Sequence, residues 1–138
     1  VDDEEFDRYI ARRAIVRSGA DCRVIEFDAG DAFAKVFGDD QAFHEKIGDV
    51  PPPVLVLLDI NMPRMNGFEV LEQIKQQFAT HTREPACFIV MMYSSSNHAN
   101  DRSSAMQYDF VRDYIVKPID ETSFKALMTK YYPEASAA

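Results

Sequence analysis

Val54-Leu55-Val56-Leu57-Leu58 is an unbroken run of branched apolar residues set between three prolines and Asp59. A strand with one face in water alternates apolar and polar side chains. One that is apolar at every position must be covered on both faces, the situation of a parallel strand between two layers of helices. Residues 87–93, after Pro85, repeat the pattern, and Tyr114-Ile115-Val116 gives a shorter version. Between these runs the apolar spacing becomes helical: Val70, Leu71, Ile74 and Phe78 within 68–78, a weaker pattern over 101–108, and Phe124, Leu127, Met128 and Tyr131 within 121–132. Upstream, residues 6–17 set Phe6, Ile10, Ala14 and Arg17 on one helical face and stop at Ser18-Gly19. Residues 22–27 alternate with β-branched positions and read as a strand, followed by a helix from about Asp31 that continues in broken form past Gly38. Strand and helix in alternation predict an α/β fold, a doubly wound parallel sheet with right-handed crossovers and its functional groups at the carboxyl ends of the strands.

A length of 138 residues suits one domain, and 46% hydrophobic residues supply a core for it. The formal net charge of -8 argues against nucleic acid as a direct partner. Cys22 and Cys87 have no metal or CxxC spacing and are expected to be reduced thiols in a cytoplasmic protein. No apolar run approaches the ~20 residues of a membrane span, and Val1-Asp2-Asp3-Glu4-Glu5 is the opposite of a signal peptide, so no membrane partner is expected.

Polar residues stand where apolar strands end: Asp2-Asp3 after Val1, Asp59 after Leu58, Lys117 after Val116. In a doubly wound sheet those ends share one edge, so three carboxylates and an ammonium meet in one crevice. Crowded carboxylates repel, and a hard divalent cation with oxygen ligands, Mg²⁺ best of all, relieves the repulsion while leaving positions open for phosphate oxygens.

The segment Asp59-Ile60-Asn61-Met62-Pro63-Arg64-Met65-Asn66-Gly67 has the pattern D-x-x-M-P-x-M-x-G after a buried strand. It closely resembles the phosphoacceptor loop of response regulator receiver domains. With Asp2-Asp3, the Ser94-Ser95-Ser96 run and Tyr114-Ile115-Val116-Lys117-Pro118, the resemblance covers the chain from Val1 to about Tyr132. It implies a five-stranded sheet in the order 2-1-3-4-5, a receiver domain over 1–132 and a C-terminal tail over 133–138. It also implies roles. Asp59 would take a phosphoryl group from a histidine kinase or phosphotransfer protein. Asp3, Asp2, Asp59 and the Asn61 backbone carbonyl would bind Mg²⁺, and Lys117 would neutralise the phosphoryl oxygens, oriented by a cis bond to Pro118. Ser94 or Ser95 would follow the phosphoryl group inward, and spacing leaves the choice open with a preference for Ser94. Tyr114 matches the aromatic that moves between exposed and buried positions. The chain would then be no enzyme beyond its own phosphorylation and dephosphorylation, and would switch a face for a downstream protein target.

Each residue also has a plainer reading. Acids at 2–5 favour a helix N-terminus, with Glu4 as a cap; Asp59 alone would suit an N-cap, and the serines a flexible turn. Their joint occurrence favours the site. His44, His81 and His98 lack ligand spacing and are assigned no role. A haloacid-dehalogenase-like phosphotransferase needs a second aspartate where Asn61 stands, and a flavodoxin-like binding module needs flavin contacts that nothing beyond residues 94–97 suggests. Two further expectations concern extent. Only Val1 precedes the acid pair, so the first, central strand looks truncated and the natural polypeptide is expected to begin several residues upstream. With no effector domain in the sequence, the chain is expected to be either a stand-alone regulator acting by protein contact or a receiver cut from a longer chain, and the extended 37–53 segment is more similar to that of the small stand-alone regulators, such as those that partner phytochrome-type kinases.

Overall fold

The computed structural model describes residues 1–48 and 53–133. Residues 49–52 and 134–138 lie outside the described residues. Strands β1 (Val54–Leu58), β2 (Phe88–Ser94) and β3 (Val111–Val116) form a parallel sheet in the order β1-β2-β3. Around it run α1 (Glu5–Arg17), α2 (Gly30–Phe37), α3 (Asp40–Lys46), α4 (Gly67–Ala79), α5 (Ala99–Met106) and α6 (Glu121–Tyr131).

The apolar runs form strands packed on both faces, β2 fully and β1 only in part at Val54, Leu55 and Leu57. β2, in the middle, is buried at all seven positions. Alternate side chains serve two separate cores. Val56, Leu58, Phe88, Val90, Met92, Val111 and Tyr114 pack with α2 to α5, while Leu55, Leu57, Tyr93 and Ile115 pack with Ala14 of α1 and Phe124 of α6. The first core is rich in aromatic edges: Phe37 touches the rings of Phe33, Phe43, Phe78 and Phe88 and is 1% exposed. Each such side chain contributes about 1.5–3 kcal/mol on burial, so the helices are held by the sheet rather than by their own propensity.

Helix ends follow the polar residues. Asn66 and Glu69 form a reciprocal capping box that starts α4; Asp39 caps α3 through Ala42 N–H, and Asp120 caps α6 through Ser123 N–H. Glu4 occupies the N-cap position of α1, but its side chain makes no capping bond, contrary to the expectation. Instead Asp2 Oδ1 accepts from Glu4 N–H at 2.9 Å.

Two expectations need correction. The sheet has three strands among the described residues, not five, and residues 22–27 form no strand of it. Between them and β1 lies a groove lined by Ile15, Ile25, Leu55, Leu57 and Phe124. Val1 and Asp2 bridge it, through Val1 N–H to Leu57 O (2.8 Å), Asp59 N–H to Val1 O (3.0 Å) and Asp2 N–H to Phe27 O (3.0 Å). These bonds make no ladder. The second correction is that β3 begins at Val111 rather than Tyr114. It lies at the sheet edge, where exposed Arg112 and half-buried Asp113 are tolerated, and those charges conceal the strand in the sequence. No helix among the described residues is long and apolar enough to cross a membrane.

Candidate functional site

The carboxyl ends of the strands bring together side chains far apart in sequence. Asp59 leaves β1 and is 4% exposed; Asp2 is equally buried, and Asp3 is half-buried. One carboxylate oxygen from each of the three lies within 4.8 Å of the others. Lys117, just beyond β3, places its ammonium 2.6 Å from Asp2 Oδ2, 2.9 Å from Asp7 Oδ2 and 3.4 Å from Asp59 Oδ2. Lys117 N–H donates to Ser94 O at 2.9 Å, and the Lys117–Pro118 peptide is cis.

Charge states follow from this crowding. Burial pushes the Asp59 carboxyl up from 3.8 to about 6; attraction to Lys117 opposes the rise, Asp2 adds to it, and the hydrogen bond from Ile60 N–H to Asp59 Oδ1 opposes it again. For Lys117 burial alone would lower the value, but hydrogen bonds to Asp2 and Asp7 and the charge of Asp59 outweigh it, so the group is held above its ordinary range as a firm cation.

The three aspartates fit a hard divalent cation. Asp3 Oδ1 is buried with no hydrogen-bond donor, a costly state for a carboxylate oxygen unless a cation meets it. The donors are all oxygens, as Mg²⁺ requires. Asn61, two residues after Asp59, is exposed.

The loop from Asp59 to Gly67 is shaped by its glycine and its charges. A Cβ on Gly67 would lie 2.3 Å from Asp59 O and 2.8 Å from Ile60 Cα, so only glycine allows α4 to start against the backbone of Asp59. Gly67 N–H then donates to Ile60 O at 2.8 Å. Arg64, in the left-handed region at φ 67°, reaches across to Asp31 of α2 with two hydrogen bonds, 2.9 and 3.3 Å. Met62 is buried beneath the loop.

Of the three serines, Ser94 is fully buried at the end of β2 and Ser95 is exposed. Ser94 Oγ accepts from Ser96 N–H at 3.1 Å. Ser96 caps the turn into α5, donating through Oγ to Asp101 at 2.6 Å. Tyr114 is buried, 4% exposed, with its hydroxyl donating to Ser96 O at 2.8 Å and the Arg102 guanidinium 5.5 Å over its ring. Two participants escaped the sequence reading. Asp7 looks like an ordinary acid of a helix first turn, and only the packing of α1 beside β3 brings it to Lys117. Tyr93 looked like core alone, yet its hydroxyl accepts from Ile119 N–H at 3.1 Å and its ring lies 5.5 Å from the Lys117 ammonium.

Comparison with known proteins identifies the family of the chain. A family model described as the response regulator receiver domain matches residues 1–129. The chain is 31% identical over 130 residues, 94% of its length, to the DNA-binding transcriptional regulator NtrC of Proteus hauseri, and spans 23% of that protein. Among solved structures, it is similar to a response regulator receiver protein from Dyadobacter fermentans, at TM-score 0.74 and 21% identity, covering 95% of this chain and 93% of the other. It is also similar to a two-component response regulator from Cytophaga hutchinsonii, at TM-score 0.73 and 23% identity, covering 99% and 93%. These findings give nothing to the dehalogenase or flavodoxin alternatives.

Proposed function

The chain belongs to the response regulator receiver domain family, and on that premise we propose that Asp59 is its phosphoacceptor, charged by a histidine kinase or phosphotransfer protein. The observation that supports this most is the placement of buried Asp59 between two further aspartates and the Lys117 ammonium at the end of β1. Receiver domains act within two-component systems through kinases and downstream effectors, and are signalling modules rather than enzymes. On our reading this chain's only chemistry is the gain and loss of its own phosphoryl group, within a receiver unit of residues 1–132 followed by a tail over 133–138.

Asp2, Asp3, Asp59 and the Asn61 carbonyl would hold Mg²⁺, which when bound offsets negative charge on the phosphoryl oxygens. The remaining work belongs to the chain. Asp59 supplies the attacking carboxylate oxygen, which must be unprotonated, and Lys117 supplies N–H donors to the transferred group. Gly67 and the Arg64–Asp31 bridge hold the loop that carries Asp59. Ser94, buried at the neighbouring strand end, is the hydroxyl we assign to the phosphoryl group; exposed Ser95 is not.

The output follows from position. Ser94 lies at the entry to α5, and the Tyr114 hydroxyl is bonded to Ser96 in the same turn. A Ser94 hydroxyl drawn toward a phosphoryl group releases Ser96 N–H, and with it the anchor of Tyr114. We assign the face of α5, β3 and α6 as the one a protein partner reads, through a shift between two populations. Incubation with acetyl phosphate and Mg²⁺, read by intact mass, tests the central claim. One added phosphoryl group is expected, with none in Asp59→Asn, and equal labelling of that variant would overturn the assignment.

A further inference from the structure

We propose that Asp7 is a positioning residue of the phosphoacceptor site, one that keeps the Lys117 ammonium drawn toward α1 and competes for it with an arriving phosphoryl group; the inference rests on the reading of Asp59 above. Lys117 has three N–H donors and is 8% exposed, so water cannot readily replace a protein partner. Its three carboxylate neighbours are not equivalent. Asp2 at 2.6 Å and Asp7 at 2.9 Å are in the range of charge-assisted contacts, whereas Asp59 at 3.4 Å is beyond it. The ammonium therefore leans away from the residue it serves.

Asp2 belongs to the group of oxygens that fits a cation; Asp7 does not. Among the described residues its carboxylate accepts one side-chain hydrogen bond, the one from Lys117. Asp7 sits in the first turn of α1, where the helix N-terminus favours an acid, and a third of its side-chain surface is exposed, so it carries its charge at little cost. Asp2, Asp7 and Asp59 thus face one Lys117, and Asp7 is the member whose charge neither accepts the phosphoryl group nor fits the cation.

With acetyl phosphate as donor, an Asp59 oxygen forms the bond to phosphorus while the phosphorus–oxygen bond to acetate breaks, and acetate leaves with the electron pair. The phosphoryl oxygens then need the N–H groups that Lys117 directs at Asp7. Neutralising Asp7 while keeping its shape frees that donor, so Asp7→Asn labels faster at limiting acetyl phosphate. The expected rise in the rate per unit donor concentration is about tenfold, the effect of one charge-assisted contact. Asp7→Glu, which restores the charge, returns the rate to that of wild type.

The test is a double-mutant cycle at fixed ionic strength and saturating Mg²⁺, with labelling followed by intact mass in wild type, Asp7→Asn, Lys117→Gln and the double variant. The tenfold rise should shrink to under about twofold when Lys117 is absent, because Asp7 acts through it. If Lys117→Gln labels too slowly to time, the same cycle is read from the affinity for beryllofluoride. A purely structural Asp7 would lower the melting temperature without changing the donor dependence, and that result overturns the inference. So does a rise that persists undiminished without Lys117. Wild type that takes no phosphoryl group would overturn the phosphoacceptor reading itself; wild type labelled at Asp59, with Asp7→Asn within twofold of it, overturns the role of Asp7 alone.

Discussion

Replacing Asp59 by asparagine removes a charge that the fold buries, and the consequence for stability depends on pH in a way the site dictates. Burial raises the carboxyl from 3.8 to about 6 despite the pull of Lys117. Because the folded value lies above the unfolded one, the folded chain binds more protons between those limits. The stabilising contribution is fully present below about pH 4 and is lost as pH rises through about 6. A gap from 3.8 to about 6, at about 1.4 kcal/mol per unit, sets a ceiling of about 3 kcal/mol. Asparagine has the same shape and no charge, and Lys117 keeps its nearer partners Asp2 and Asp7. In chelator, Asp59→Asn is therefore expected to exceed wild type by about 2–3 kcal/mol near pH 7.5, and to match it near pH 4. The chain has no tryptophan, so urea unfolding is best followed by far-UV circular dichroism. Adding Mg²⁺ should stabilise wild type and narrow the gap at the higher pH, since a cation favours the carboxylate. A stability difference of the same size at both pH values would refute the reasoning, because it would show that Asp59 does not titrate between them.

Asp3 Oδ1 and Asp2 Oδ2 are both buried without a hydrogen-bond donor, but Asp2 Oδ2 has the Lys117 ammonium at 2.6 Å and Asp2 Oδ1 accepts from Glu4 N–H. Asp3→Asn should accordingly abolish Mg²⁺ binding more completely than Asp2→Asn in an NMR titration, and superimposable curves for Asp3→Asn and wild type would count against the cation group. Gly67→Ala drives a Cβ to 2.3 Å from Asp59 O, so a stability loss of about 2 kcal/mol or more is expected together with slower acetyl phosphate labelling; a variant that melts and labels as wild type does would show the loop free to move aside. Tyr114→Phe removes the hydrogen bond to Ser96 O and should cost about 1 kcal/mol while weakening the link from site to output face. Beryllofluoride should then shift amides of residues 97–114 less than in wild type, and identical shifts would place the coupling elsewhere. Ser94→Ala should blunt the same response and Ser95→Ala should not, and the reverse result would exchange their roles.

What could be read in the sequence, and what could not, divides along physical lines. β1 and β2 were legible because burial on both faces forces a continuous apolar run that no surface segment shares. Asp59, Asp2, Asp3 and Lys117 were legible because they interrupt such patterns at strand ends, where the fold must bring them together. Residues 22–27 carry the composition of a strand, but composition does not specify a neighbour, and strand assignment depends on the ladder. Arg112 and Asp113 concealed half of β3 because an edge position tolerates charge. Asp7 was invisible for a different reason. An acid in a helix first turn is favourable anywhere, and only the distance between α1 and the end of β3 distinguishes this one.

The parallel register of the sheet has a consequence of its own. Val54 to Leu58 pair in step with Phe88 to Met92, and Ser94 pairs with Val116, one residue before Lys117. A strand that slipped by one residue would move its end by ~3.3 Å, as much as the 3.4 Å that separates Lys117 from Asp59. It would also turn each side chain to the opposite core. A sheet misassembled by a single step could stay compact and helical yet carry its acids and its lysine out of reach of one another. The capacity to take up a phosphoryl group thus serves as a gauge of alignment, reporting whether the strands have met in step where spectra of secondary structure would register no fault.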